Sequence, residues 1–130
     1  MRKKSVVIVI LALSLVALFA VSAAPALACS PGWYKNHPTQ WGDVTINGSD
    51  GTQLVVLHSQ ALAWLRTPVV GDKAYTGFAI VATAVKNGGA VQIQVRDWVI
   101  AHPPGIFIAA SSAEWQYIES YMMYQASFFD

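Results

Sequence analysis

The stretch DKAYTGFAIVATAVKNGG, residues 72–89, carries the most regular pattern in the chain. Tyr75, Phe78, Ala79, Ala82 and Val85 recur three and four residues apart, the spacing that places side chains on one face of an α-helix. Asp72 is a good N-cap, because its carboxylate can accept the free amides of a first helical turn. Asn87-Gly88-Gly89 supplies the stop, since glycine adopts the left-handed conformation that commonly ends helices. The stretch reads as an amphipathic helix and sets the expectation of a helical domain.

Working outward, helix signals outnumber strand signals. From Thr52, the apolar positions Leu54, Leu57, Ala61, Leu62 and Leu65 keep helical spacing until Thr67-Pro68, which predicts a second helix. Asp43 to Gly51, rich in Gly, Asn and Asp, predicts the loop before it. Ser30-Pro31 opens a short helix, Gly32 to His37, which Pro38 ends. Val91, Ile93 and Val95 alternate with Gln92 and Gln94 as in a strand, yet Val91, Val95, Trp98 and His102 also share a helical face. Helix is preferred there, because no second strand offers to pair with it. After Pro103-Pro104-Gly105, Ser111 and Glu114 form a capping box for a last helix from about Ser112 to about Phe128. One of its stripes is Trp115, Ile118, Met122 and Phe129; another is Tyr117, Tyr121, Tyr124 and Phe128. The expectation is all-α: a small single-domain bundle of four to five helices over residues 29–130, with no internal repeat, low-complexity linker or second membrane span.

Residues 1–28 carry an address. Arg2, Lys3 and Lys4 precede the apolar run Val6 to Val21, and a small-residue segment ends in Ala26-Leu27-Ala28. That order of charged, apolar and small-residue regions is a secretory signal peptide, with Ala26 and Ala28 where a signal peptidase needs small side chains. Cleavage would leave Cys29 first. Residues 5–24 are long enough to span a bilayer if retained, since about 20 apolar residues suffice, so a membrane-anchored form is the alternative. Lipoprotein processing at Cys29 fits less well, because Ala26 and Leu27 stand in the wrong order for a lipobox.

Once the signal leaves, Lys35, Arg66, Lys73, Lys86 and Arg96 face Asp43, Asp50, Asp72, Asp97, Glu114, Glu119 and Asp130, a formal charge of −2. No basic patch remains for nucleic acid or an anionic membrane surface, so membrane contact is expected only through the signal segment or a lipid on Cys29. Cys29 is the single cysteine. An internal disulfide is therefore excluded, leaving a free thiol, an intermolecular disulfide or lipidation.

Cys29-Ser30-Pro31-Gly32-Trp33-Tyr34-Lys35-Asn36-His37-Pro38, followed by Trp41, resembles the Gly-Tyr-Trp-Lys-Asn-His-Pro signature that opens a family of small secreted prokaryotic proteins and surface modules. Arg66-Thr67-Pro68 with Gly71-Asp72, and Ala79 to Asn87 with Gly88-Gly89, resemble that family's later steps, so the resemblance covers residues 29–90. It implies secretion and a small helical domain, and no reaction. Trp33-Tyr34 reverses the family's aromatic pair, and the aromatic helix within 105–130 has no counterpart in it. From the residues themselves, Trp33 and His37 share one face of a short helix, with Trp41 arriving beyond Pro38 to close over them. The motif cluster Trp33, Tyr34, Lys35, Asn36, His37 and Trp41 thus reads as a packed corner, with Lys35 on the wet side.

Catalytic signals are sparse. His37, His58 and His102 lie in separate elements without metal-ligand spacing, and only a composite site of His37, His58 and Asp43 would bring ligands together. No serine sits in a nucleophile turn, and Ser59 does not face His58, its neighbour on a helix. Asn47-Gly48-Ser49 is a formal glycosylation sequon. No catalytic residue and no cofactor is expected. The function expected is a secreted or cell-surface-associated, non-enzymatic interaction module that contacts a protein or a second copy through Tyr117, Tyr121 and Tyr124. Its alternative is a carbohydrate-binding module that uses exposed Trp33, Trp41 or Tyr117 on a cell-surface glycan; a metal-dependent secreted enzyme is a distant third.

Overall fold

In the computed structural model, residues 29–129 are described. The signal peptide read over residues 1–28 and its expected cleavage site lie outside the described residues. Among the described residues, five α-helices and one β-hairpin follow in order: α1 (Pro31–Asn36), a 3₁₀ turn (Pro38–Gln40), β1 (Val44–Asn47), β2 (Gln53–Val56), α2 (His58–Arg66), α3 (Lys73–Asn87), α4 (Ile93–Ala101) and α5 (Ala113–Ala126).

The organising element is α3. Its N-terminus is capped as its sequence requires, with the Asp72 carboxylate accepting the Ala74 N–H at 3.1 Å. Gly88 takes the left-handed conformation at the other end, with φ of 77°. One face is not enough for this helix. Ala74, Gly77, Phe78, Ile80, Val81, Ala82, Thr83 and Ala84 are all buried, because α5, β1 and α4 pack around it, with α1 and α2 beside them. Val44, Ile46, Val95, Val99, Trp98, Trp115, Ile118 and Met122 complete the core.

Gly77 marks the tightest approach in that core. A Cβ there would lie 2.7 Å from Trp98 Cζ3 and 3.2 Å from Met122 Cε. Both neighbours are themselves buried, so the added methyl displaces packed side chains. Gly77→Ala should lower stability by about 1–3 kcal/mol, outweighing alanine's better helix propensity of at most about 1 kcal/mol. Urea unfolding checks this, and a more stable variant would show that the crossing has slack.

The expectation of an all-α fold is overturned by the hairpin. β1 and β2 pair antiparallel in the register Val44↔Val56, Thr45↔Val55, Ile46↔Leu54 and Asn47↔Gln53. Val44, Ile46 and Val56 face the core, whereas Val55 is exposed; that is the two-residue period of a half-buried strand. Residues 52–57, read as the first turns of a helix, are therefore strand and connection. The loop read over Asp43 to Gly51 contains the partner strand. Its turn is closed by Gly48 N–H to the Thr52 carbonyl at 2.8 Å, and Gly51 has φ of 84°. Asp97 on α4 clasps the turn from outside, accepting Ser49 N–H at 2.8 Å and Ser49 Oγ–H at 2.7 Å.

Elsewhere the elements sit close to their sequence reading. Residues 93–101 are helix, not strand, and the Gln125 side chain accepts the Gln92 N–H at 3.1 Å where a cap would serve. The last helix is capped by Ser112, whose Oγ accepts the Trp115 N–H at 3.2 Å, so the Ser111–Glu114 box does not form. A short recurrence escaped the reading that no repeat exists: Trp33-x-x-x-His37-Pro38 and Trp98-x-x-x-His102-Pro103 end α1 and α4 in the same way. The two histidines have φ/ψ of −129°/58° and −132°/57°, outside the helical region that a following proline disfavours. In each, Nδ1 donates to the tryptophan carbonyl four residues back, at 2.7 and 2.9 Å. The rings stack at 4.3 and 4.4 Å. It is a shared helix stop, not a duplicated domain.

Candidate functional site

Three regions concentrate aromatic and polar groups. The first is the N-terminal motif, where Tyr34 rather than Trp33 is the inward ring, at 7% exposure. Its hydroxyl donates to Asn87 Oδ1 at 2.7 Å, and Asn87 Nδ2 donates to the Cys29 carbonyl at 3.0 Å. One buried amide at the end of α3 thus ties down both the start of the domain and α1. Burial, and secondly the neighbouring Cys29 thiol, push the Tyr34 phenol up to about 12.

Trp41 closes over a different pair from the one expected. It packs edge-on against Tyr34 at 6.0 Å and His58 at 4.4 Å, and its Nε1–H donates to the Tyr34 carbonyl at 2.8 Å. Trp33 instead stacks on exposed His37 and meets Tyr34 edge-on at 5.1 Å. Lys35 and Asn36 are both exposed, and the Lys35 carbonyl accepts from Arg66 Nη2 at 3.1 Å. Asp43 caps α2 by accepting the His58 N–H at 2.7 Å, and its carbonyl accepts from Lys86 Nζ. Among the described residues no group of three or more His, Cys, Asp or Glu side chains is placed to hold a metal ion. His37, His58 and Asp43 therefore form no ligand set, and the corner is a packed, hydrogen-bonded junction.

The second region is the outer face of α5. Tyr117 is 67% and Tyr124 55% exposed, with Phe128 and Met123 exposed beside them. Tyr124 and Phe128 meet edge-to-face at 5.2 Å. Tyr121 departs from the expected trio: rotated toward Ile118 and Gln125, it is half-buried and packs against the core. The outward stripe is therefore Tyr117, Tyr124 and Phe128.

The third region went unread in the sequence. A half-open cavity of about 370 Å³ lies between the ends of α3 and α5, lined by Ala84, Asn87, Gly89, Ala90, Gln125, Phe128 and Phe129. Small residues at 84, 89 and 90 make the space, and two phenylalanines just past α5 wall it. Gly88-Gly89-Ala90 signalled only a helix stop, and nothing local says that another helix ends against it.

No helix among the described residues is long and apolar enough to cross a membrane. No family model matches this chain, and no curated protein or solved structure is significantly similar to it.

Proposed function

We propose that this is an exported, non-enzymatic interaction module that works by contact through the outer face of α5. The observation that carries this reading is the row of exposed Tyr117 and Tyr124 on α5 and Phe128 just past its end, with Met123 adjoining it, on the side away from the buried face of the helix. Contiguous exposed apolar surface of this kind marks contact sites, and tyrosine and methionine are enriched at interfaces. Export rests on the signal-peptide reading of residues 1–28. Of the three rings expected for the carbohydrate alternative, Tyr117 is exposed, but Trp33 and Trp41 offer a sugar less free ring face. One face of Trp33 is stacked on His37, and Trp41 is wedged between Tyr34 and His58.

Self-association is the simplest form of such contact. Sedimentation velocity over rising concentration should show a dimer, and changing Tyr117, Tyr124 and Phe128 together to Ser should weaken it at least tenfold while the variant stays folded. A wild type that stays monomeric at millimolar concentration, or a variant that dimerises as well as wild type, would remove the self-association reading.

A further inference from the structure

The cavity between the ends of α3 and α5 has a chemical character that narrows what it can hold. Its walls are almost wholly apolar: the methyls of Ala84 and Ala90, the rings of Phe128 and Phe129, and glycine backbone at Gly89. Its two amides are already engaged. Asn87 accepts from Tyr34 and donates to Cys29, while Gln125 accepts from Gln92 and donates to the Ala90 carbonyl at 3.1 Å. The carbonyls of Val85, Gln125 and Ala126 at these helix ends are likewise taken, accepting from the Gly88, Phe128 and Phe129 N–H groups, so a ligand with several N–H or O–H donors would find few free partners, at a cost of about 1–3 kcal/mol for each donor left unpaired.

The electrostatics favour positive charge all the same. Both α3 and α5 end at this cavity, and a helix C-terminus carries about half a negative charge. None of the lining side chains is a cation. Lys86, the basic residue in the last turn of α3, is tied to the Asp43 carbonyl beside Tyr34 and Trp41 instead. The two lining phenylalanines offer rings whose faces attract a cation that reaches them. At about 30 Å³ per water-sized group, the 370 Å³ space takes about a dozen non-hydrogen atoms.

From this combination we propose that the cavity binds a small quaternary ammonium compound with an apolar body, a cation that brings charge without hydrogen-bond donors. The site is distinct from the α5 contact face, although Phe128 borders both. Benzyltrimethylammonium has the right size and serves as the probe, beside its neutral carbon isostere neopentylbenzene and the primary amine benzylammonium. Titration of the full chain, followed by NMR at Ala90 and Phe129, should give at least tenfold tighter binding for the quaternary cation than for either control. Ala90→Leu, a change at an exposed rim position that fills the space, should weaken the quaternary cation at least tenfold. Phe128→Ala should weaken it more than the neutral isostere. Equal binding of the isostere would mean a merely apolar pocket, and preference for the primary amine would mean free acceptors. Either result, absence of binding, or binding undiminished in both variants, overturns the proposal.

Discussion

Trp98→Ala is expected to lower stability by about 3–5 kcal/mol, against a total of about 5–15 kcal/mol for a domain of ordinary stability. Trp98 is 5% exposed and joins three helices at once. Its ring lies against Gly77 of α3, meets Trp115 of α5 edge-on at 5.7 Å and stacks on His102 at the end of its own helix. Its Nε1–H donates to the Glu114 carbonyl at 3.1 Å, so the one polar atom of the indole is satisfied as well. Gly77 has no side chain to move into the space, and Trp115 is held at 1% exposure. Trp33→Ala is the internal control. It removes the same residue from the same Trp-x-x-x-His-Pro ending at a half-exposed position, and should cost less than half as much. Urea midpoints of the two variants check the argument; equal losses would mean that the local motif, not burial, sets the contribution.

What the sequence revealed depended on how far away the deciding partner lay. α3 was legible because both of its stops are local: Asp72 bonds an amide two residues on, and Gly88 closes on Val85. α4 was chosen correctly for an incomplete reason, since the chain does contain a pair of strands. They were missed because Leu54, Leu57, Ala61, Leu62 and Leu65 imitate a helical face across a real boundary. Leu57 is 62% exposed and belongs to no core. The true start of α2 is set by Asp43, fifteen residues back in the chain, so no cap stood beside it to be read. A strand signal was present in the β-branched run Val44-Thr45-Ile46, bounded by Asn47-Gly48 and Asp50-Gly51, the residues that favour hairpin turns. The motif corner was legible as a cluster but not in its pairings. Tyr34 meets Asn87 across 53 residues, and the cavity likewise exists only because two distant helices end side by side.

Tyr34 separates the contribution of a buried ring from that of its hydroxyl. Tyr34→Ala removes a ring that is 7% exposed and holds α1 against α3, and should cost about 3–5 kcal/mol. Tyr34→Phe keeps the ring but leaves buried Asn87 Oδ1 without its donor, and should cost about 1–3 kcal/mol. The two variants also differ from wild type in how they respond to alkali. In the folded protein, burial first and the Cys29 thiol second raise the phenol from its ordinary 10.0 to about 12. A folded-state pKa above the unfolded one means that the unfolded chain gives up this proton first. The contribution is therefore complete below pH 10 and is lost as pH climbs toward 12. Wild type should lose its advantage over Tyr34→Phe across that interval, while titrating groups other than Cys29, which is coupled to the phenol, affect both proteins alike and cancel from the difference. Urea unfolding of the two proteins at a series of pH values gives that difference directly. A constant gap up to pH 12 would mean that the phenol ionises as freely in the folded chain as in the unfolded one, and that Tyr34 does not seal the corner in the way its burial requires.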